Sequence, residues 1–146
     1  MKILIPALLL ALSAGGAHAS STWDGVYTDA QAGRGMEQYL QHCSICHSPS
    51  LQGNNESPPL VGRFMPDWAN SPVSDLYDFV STTMPLDRPG SLSADAYADI
   101  VAYLLKANGF PSGQSELRPG DLQSIGFDLK RPAPPPAPAK PVREKR

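Results

Sequence analysis

Two thiols and an imidazole stand together in the stretch Gln41-His42-Cys43-Ser44-Ile45-Cys46-His47, which holds both cysteines of the chain. Three chemistries use such a spacing. Cys43 and Cys46 can form a redox dithiol or a simple disulfide, they can supply half of a metal site, or they can anchor a covalently bound haem. A thioredoxin-like dithiol needs a strand before it and a helix after it, and this chain offers no good run of alternating β-branched residues. Tetrahedral zinc needs four protein ligands, and beyond the two thiols and His47 the only other histidine past residue 19 is His42. The haem reading uses the whole pentapeptide. Sulfurs at i and i+3 can each form a thioether with one of the two vinyl groups of a porphyrin, and the next residue then lies beneath the iron as an axial ligand. A plain disulfide without haem stays open at this point.

Helices must deliver these residues. Thr28-Asp29-Ala30-Gln31 has the form of a capping box, in which the Thr28 hydroxyl and the Gln31 side chain satisfy the first free amides. That predicts a helix from about residue 29 to residue 42, ending at Cys43, with Gly35 and Tyr39 four apart on one face. The strongest helical pattern lies later. Ser93 caps it, Tyr97, Ile100, Val101, Leu104 and Leu105 follow the spacing of a buried face, and Gly109 with Pro111 stops it. A shorter helix, from about Pro72 to Thr82, carries Leu76, Phe79 and Val80 as its apolar stripe. Three helices and a covalent cofactor make an all-α fold, a three-helix core wrapped around one haem.

A chain of 146 residues with 41% hydrophobic residues suffices for one ordinary domain and not for two separate cores. Residues 1–19 read as a secretory signal: Met1-Lys2 as a short positive start, an apolar run from Ile3 to Ala14, and Ala17-His18-Ala19 as the cleavage site. The run is short for a bilayer span of about 20 residues and lacks basic residues behind it. Export to a bacterial periplasm is the expectation. Residues 20–117 are expected to form the domain, and residues 118–146 a disordered, Pro-rich basic tail that ends in Lys140, Arg143, Lys145 and Arg146.

The chain resembles the class I c-type cytochromes, particularly small bacterial periplasmic ones and the haem modules that serve quinoprotein alcohol dehydrogenases. The resemblance spans about residues 24–113. It rests on the haem pentapeptide, Gly35 and Tyr39 before it, Pro58-Pro59-Leu60-Val61-Gly62 after it, Thr83-Met84-Pro85, and Asp99-Ile100-Val101-Ala102-Tyr103-Leu104. It implies one haem c attached through Cys43 and Cys46, with His47 as axial ligand. It also implies that the first and last helices cross closely, with Gly35 and Tyr39 against Ile100 and Tyr103. Pro58 resembles the family's proline whose carbonyl accepts the imidazole Nδ1 hydrogen. Trp68 is placed either as a donor to a haem propionate, as family members often arrange, or as plain core. Arg63 is either a propionate partner or, more simply, a solvated surface arginine.

The sixth iron ligand decides function. His42 lies only five residues before His47 and cannot readily reach the opposite face of a porphyrin anchored between them. Met36, Met65 and Met84 remain, and both Met65 and Met84 precede a proline. Met84 sits in the connection between the second and third helices, where Pro85 confines it to extended backbone, and the family puts its ligand there. Met65 then reads as a core or haem-edge contact, and Met36 as core. With both axial positions filled, the chain is an electron carrier rather than an enzyme; a vacant sixth position would make it a haem enzyme or gas sensor. Leu60, Phe64, Leu76, Phe79, Ile100 and Leu104 are the expected apolar wrap.

Residues 20–117 carry four basic against eleven acidic residues, a net of −7, and residues 118–146 seven against three, a net of +4. The expected partners are periplasmic redox proteins, a quinoprotein dehydrogenase as donor and a cytochrome oxidase or another cytochrome as acceptor, with no nucleic acid. Either the tail is a solvated terminus, or it tethers the protein to an acidic partner, an anionic membrane surface or its own domain.

Overall fold

A computed structural model describes residues 20–133. The first helix, α1, spans Asp29–His42, and the Thr28 hydroxyl accepts the Gln31 amide at 3.1 Å. The reciprocal half of the expected capping box does not form. Instead Gln31 turns inward, fully buried, where its Nε2 donates to the Leu117 carbonyl at 2.8 Å and its Oε1 accepts the Leu117 amide at 2.7 Å. One carboxamide thus satisfies two interior backbone groups that would otherwise lack partners.

A single turn, α2 (Ser44–His47), follows α1 directly, and α3 (Val73–Thr83) and α4 (Ala94–Ala107) complete the helical frame. Ser93 caps α4 through the Ala96 amide, and Tyr97, Ile100, Val101, Leu104 and Leu105 are all buried. Helices α1 and α4 form the largest packing contact of the fold. Their crossing is set by Gly35, where a β-carbon would lie 1.8 Å from the Asp99 carbonyl oxygen and 3.0 Å from Tyr103 Cβ. Glycine therefore meets Asp99 and Tyr103 rather than Ile100, while Tyr39 meets Tyr103 with ring centroids 5.4 Å apart. Arg34 closes the same seam with two hydrogen bonds to Asp99, both 2.9 Å, and a third to Glu116 at 3.0 Å.

The boundary expected at residue 117 is corrected. Leu117, Leu122, Ile125 and Phe127 are buried in the one core, and the strand β2 (Ile125–Gly126) pairs in parallel with β1 (Ser20–Ser21). Phe127 packs edge-on to Phe110, which in turn contacts Trp23, and the Trp23 indole donates to the Asp128 carbonyl. Composition concealed this segment because its apolar residues follow neither helical nor strand period, each filling its own gap. Disorder is therefore not a property of residues 118–128. Residues 134–146, with most of the proline run and the basic cluster, and residues 1–19, where a secretory signal is expected, lie outside the described residues. Among the described residues no helix is long and apolar enough to cross a membrane.

Candidate haem-binding site

Cys43 ends α1 and begins α2. Its amide bonds the Tyr39 carbonyl at 2.9 Å, and its own carbonyl accepts the Cys46 and His47 amides at 3.2 and 3.0 Å. The two thiols are not joined. Burial, and secondarily the neighbouring Cys46, pushes the Cys43 thiol from its ordinary 9.0 to about 11, so it is neutral at physiological pH.

His47 is buried, and its Nδ1 lies 3.0 Å from the Pro58 carbonyl. A carbonyl can only accept, so Nδ1 carries the hydrogen, and in the neutral ring that binds a metal Nε2 carries the lone pair. Nothing among the described residues hydrogen-bonds Nε2. The intervening loop is folded to bring Pro58 to this place. Gly53 donates to the His47 carbonyl at 2.9 Å, the Leu60 amide reaches the Leu51 carbonyl at 2.8 Å, and Asn54 donates from Nδ2 to the Cys46 carbonyl at 2.9 Å. Gly53 has φ +67°, and a β-carbon there would lie 2.2 Å from the Ser57 carbonyl oxygen, so the fold-back requires glycine. From the other side, the buried Tyr39 hydroxyl donates to the Ser48 carbonyl at 2.6 Å and lies 3.2 Å from that of His47. Burial holds that phenol protonated far above its usual range.

Met84 caps the end of α3. Its backbone is extended, as Pro85 demands, its amide bonds the Val80 carbonyl at 3.0 Å, and its carbonyl accepts the Tyr97 hydroxyl at 2.7 Å. The Met84–Pro85 peptide is cis. Met65 lies in the core, only 4% exposed. Met36, expected in the core, is instead 44% exposed, because it lies off the α1 face that Ala32, Gly35 and Tyr39 turn toward α4.

Trp68 ends a 3-10 turn spanning Gly62–Trp68 and packs between Phe64 and Phe79, with ring centroids at 6.0 and 5.7 Å. Its indole nitrogen is buried without a partner among the described residues. Such an orphaned donor costs about 1–3 kcal/mol and calls for an acceptor. Phe79, expected in the apolar wrap, is 46% exposed, and Ile45 is 90% exposed beside the cysteines. Leu76, Ile100 and Leu104 are buried as expected, and Leu60 and Phe64 half-buried. Arg63 is exposed.

The structure thus joins His47, Pro58, Tyr39 and Tyr103 in one contiguous group. Met84 with Tyr97, and Trp68 with its phenylalanines, stand on other elements, with no hydrogen bond to the His47 group. Asn54 and Tyr97 escaped sequence reasoning: asparagine in a turn is unexceptional, and Tyr97 reads as core. Two unjoined thiols, one imidazole lone pair one turn on, and one orphaned indole donor fit what a haem presents: two vinyl groups, an iron and a carboxylate.

Comparison with protein families matches residues 30–104 to the family described as "Cytochrome C oxidase, cbb3-type, subunit III". The chain belongs to this family of c-type cytochrome domains. It is a class I c-type cytochrome, and membership implies a covalent haem c and haem-based electron transfer. A search of curated proteins finds no match. Among solved structures, a chain of the sulfane dehydrogenase SoxCD from Paracoccus pantotrophus superposes with a TM-score of 0.52 at 19% identity, over 85% of this cytochrome and 79% of that chain. At that identity the likeness speaks for the fold alone. The matched family span runs from the first turn of α1 to the last turns of α4, so the segment from Leu117 to Asp128 lies beyond it.

Proposed function

We propose that this cytochrome is an exported one-electron carrier, with a single haem c held through Cys43 and Cys46 and its iron bound by His47 Nε2 and the Met84 sulfur. The observation that carries this reading is the bond from His47 Nδ1 to the Pro58 carbonyl, which leaves one lone pair for a metal. Bound haem supplies a one-electron couple, iron alternating between ferrous and ferric. The protein's residues tune and wire that couple. Pro58 fixes the imidazole and raises its donor strength. Met84 offers a soft thioether, which favours the ferrous form and fills the position a reactant would need. Leu60, Phe64 and Phe79 exclude water, and Trp68 donates its orphaned indole hydrogen to a propionate. Around Ser44 and the exposed Ile45, one edge of the cofactor stays within tunnelling reach of partners.

The partners are of two classes: a dehydrogenase as donor, and a terminal oxidase or another cytochrome as acceptor. The quinoprotein dehydrogenases of the sequence resemblance and the sulfane dehydrogenase of the fold likeness support the first, and the oxidase subunit in the family's description supports the second. An acidic domain favours brief, salt-sensitive encounters with basic surfaces. Read as a secretory signal, residues 1–19 support a periplasmic setting for these encounters.

Optical spectra of the purified protein in both oxidation states test this reading. The oxidised protein should show the weak long-wavelength sulfur-to-iron band, Met84→Ala should abolish it, and Met65→Ala should leave it. Carbon monoxide binding readily to the reduced wild-type protein would instead indicate an open sixth position and a haem enzyme or gas sensor.

A further inference from the structure

The two sides of the proposed iron site are fastened very differently. His47 is tied by Pro58 through its ring, by Gly53 through its carbonyl and by the Tyr39 hydroxyl beside it. On the Met84 side, Pro85 is buried and Met84 and Leu92 pack against the core, but hydrogen bonds are few. From Met84 to Leu92 the chain bonds locally, Arg88 to the Pro85 carbonyl at 2.8 Å and Ser91 to the Arg88 carbonyl at 3.3 Å. Leu86–Ser91 are all exposed, Leu86 at 80%. Beyond the last turn of α3, every hydrogen bond found from this segment to another helix ends on one atom, the hydroxyl oxygen of Tyr97. It donates its hydrogen to the Met84 carbonyl at 2.7 Å and accepts the Leu92 amide at 3.5 Å, so one oxygen pins both ends of the segment. Tyr97 itself is 3% exposed on α4, among the buried residues of that helix.

We infer that Tyr97 is the positioning residue of the sixth ligand: its hydroxyl holds the Met84–Leu92 segment shut and so sets how readily an outside molecule displaces the Met84 sulfur. The inference rests on the reading of Met84 as the ligand. It follows from hydrogen-bond strength and placement. Losing the 2.7 Å bond to Met84 shifts an opening equilibrium by roughly tenfold, and losing the long 3.5 Å bond from Leu92 adds to it; because both bonds lie at the ends of the segment, the shift falls on its opening rather than on global unfolding.

Tyr97→Phe removes the oxygen and keeps the buried ring. Tyr77→Phe is the control, since the Tyr77 hydroxyl bonds the Ala94 carbonyl at 3.3 Å, also at α4 but with no hydrogen bond to the Met84–Leu92 segment. With oxidised holoprotein, imidazole should displace the Met84 sulfur at least about tenfold faster in Y97F than in wild type, as expected for loss of the short bond to Met84 together with the long one from Leu92. In a thermal scan the sulfur-to-iron band should vanish well before the helical circular dichroism. In Y77F the imidazole rate should match wild type and the two signals should fall together. Y97F behaving like Y77F overturns the inference. If wild type lacks the band, it is the ligand assignment that has failed, and amide exchange still tests the pin: exchange at Arg88 and Leu92 should accelerate about tenfold in Y97F while α4 stays protected, and unchanged exchange refutes it.

Discussion

A methyl group at Gly35 is the sharpest perturbation of this fold. A β-carbon there would sit 1.8 Å from the Asp99 carbonyl oxygen, where ordinary contact begins near 3.4 Å. The obstacle is backbone, so nothing swings aside and α1 and α4 must part by roughly 1.5 Å in an interior packed to crystal density. Overpacking of this kind costs about 1–3 kcal/mol. The displaced Tyr39–Tyr103 pair adds about 0.5–1.5 kcal/mol, and the higher helix propensity of alanine returns about 1 kcal/mol. Gly35→Ala should therefore destabilise by about 3.5 kcal/mol at the upper end of these terms, or lower the melting temperature by about 14 °C. Gly33 is two residues away on the same helix, and a β-carbon there meets nothing within 4 Å. Gly33→Ala should stabilise by about 0.5–1 kcal/mol from propensity alone. Thermal and guanidinium unfolding by far-ultraviolet circular dichroism read both. Equal effects of the two substitutions, or a Gly35→Ala protein within about 0.5 kcal/mol of wild type, below the overpacking range, would refute the close crossing.

Gln31→Leu should cost about 2–4 kcal/mol in denaturant titration, because both backbone groups of Leu117 lose their partner; a neutral outcome would mean water serves them. Truncation after residue 117 removes the buried Leu122, Ile125 and Phe127, each worth about 1.5–3 kcal/mol, and should leave a domain that melts far lower, whereas deletion of residues 134–146 should leave melting unchanged. If that second deletion also leaves the salt dependence of electron transfer unchanged, the basic terminus is no tether. Tyr27, whose hydroxyl bonds the Phe110 carbonyl at 2.6 Å, is pushed from 10.0 to about 12 by burial, then by Asp29. Its folded form keeps the proton longer than the unfolded form, so its contribution is complete below pH 10.0 and lost as pH rises to about 12. Chemical denaturation across that window should show a downward slope that Tyr27→Phe flattens.

Local signals carried most of the site. The helix from 29 to 42, the Ser93 cap and the extended Met84 before Pro85 were legible because each depends on neighbours a few residues away, whereas the Pro58 contact, eleven residues from His47, came from the family resemblance. Failures share the opposite character. Gln31 pairs with a residue 86 positions on, Met36 is exposed by the direction α1 turns, and Phe127 finds its place through Phe110 and Ser71. Tyr97 marks the limit most clearly: its helical spacing announces a buried ring, while the reach of its hydroxyl depends on where α3 ends.

The parallel pairing of Ser20–Ser21 with Ile125–Gly126 imposes an order on biogenesis. Made from its amino end, the chain presents its opening residues about a hundred positions before their partners exist, as the Trp23 to Asp128 separation of 105 attests. Closure of that seam cannot precede synthesis of Ile125–Gly126, and such long-range closure is slow. Until then Trp23, Phe110 and the face awaiting Phe127 stay uncovered, a window in which quality control can recognise an unfinished molecule.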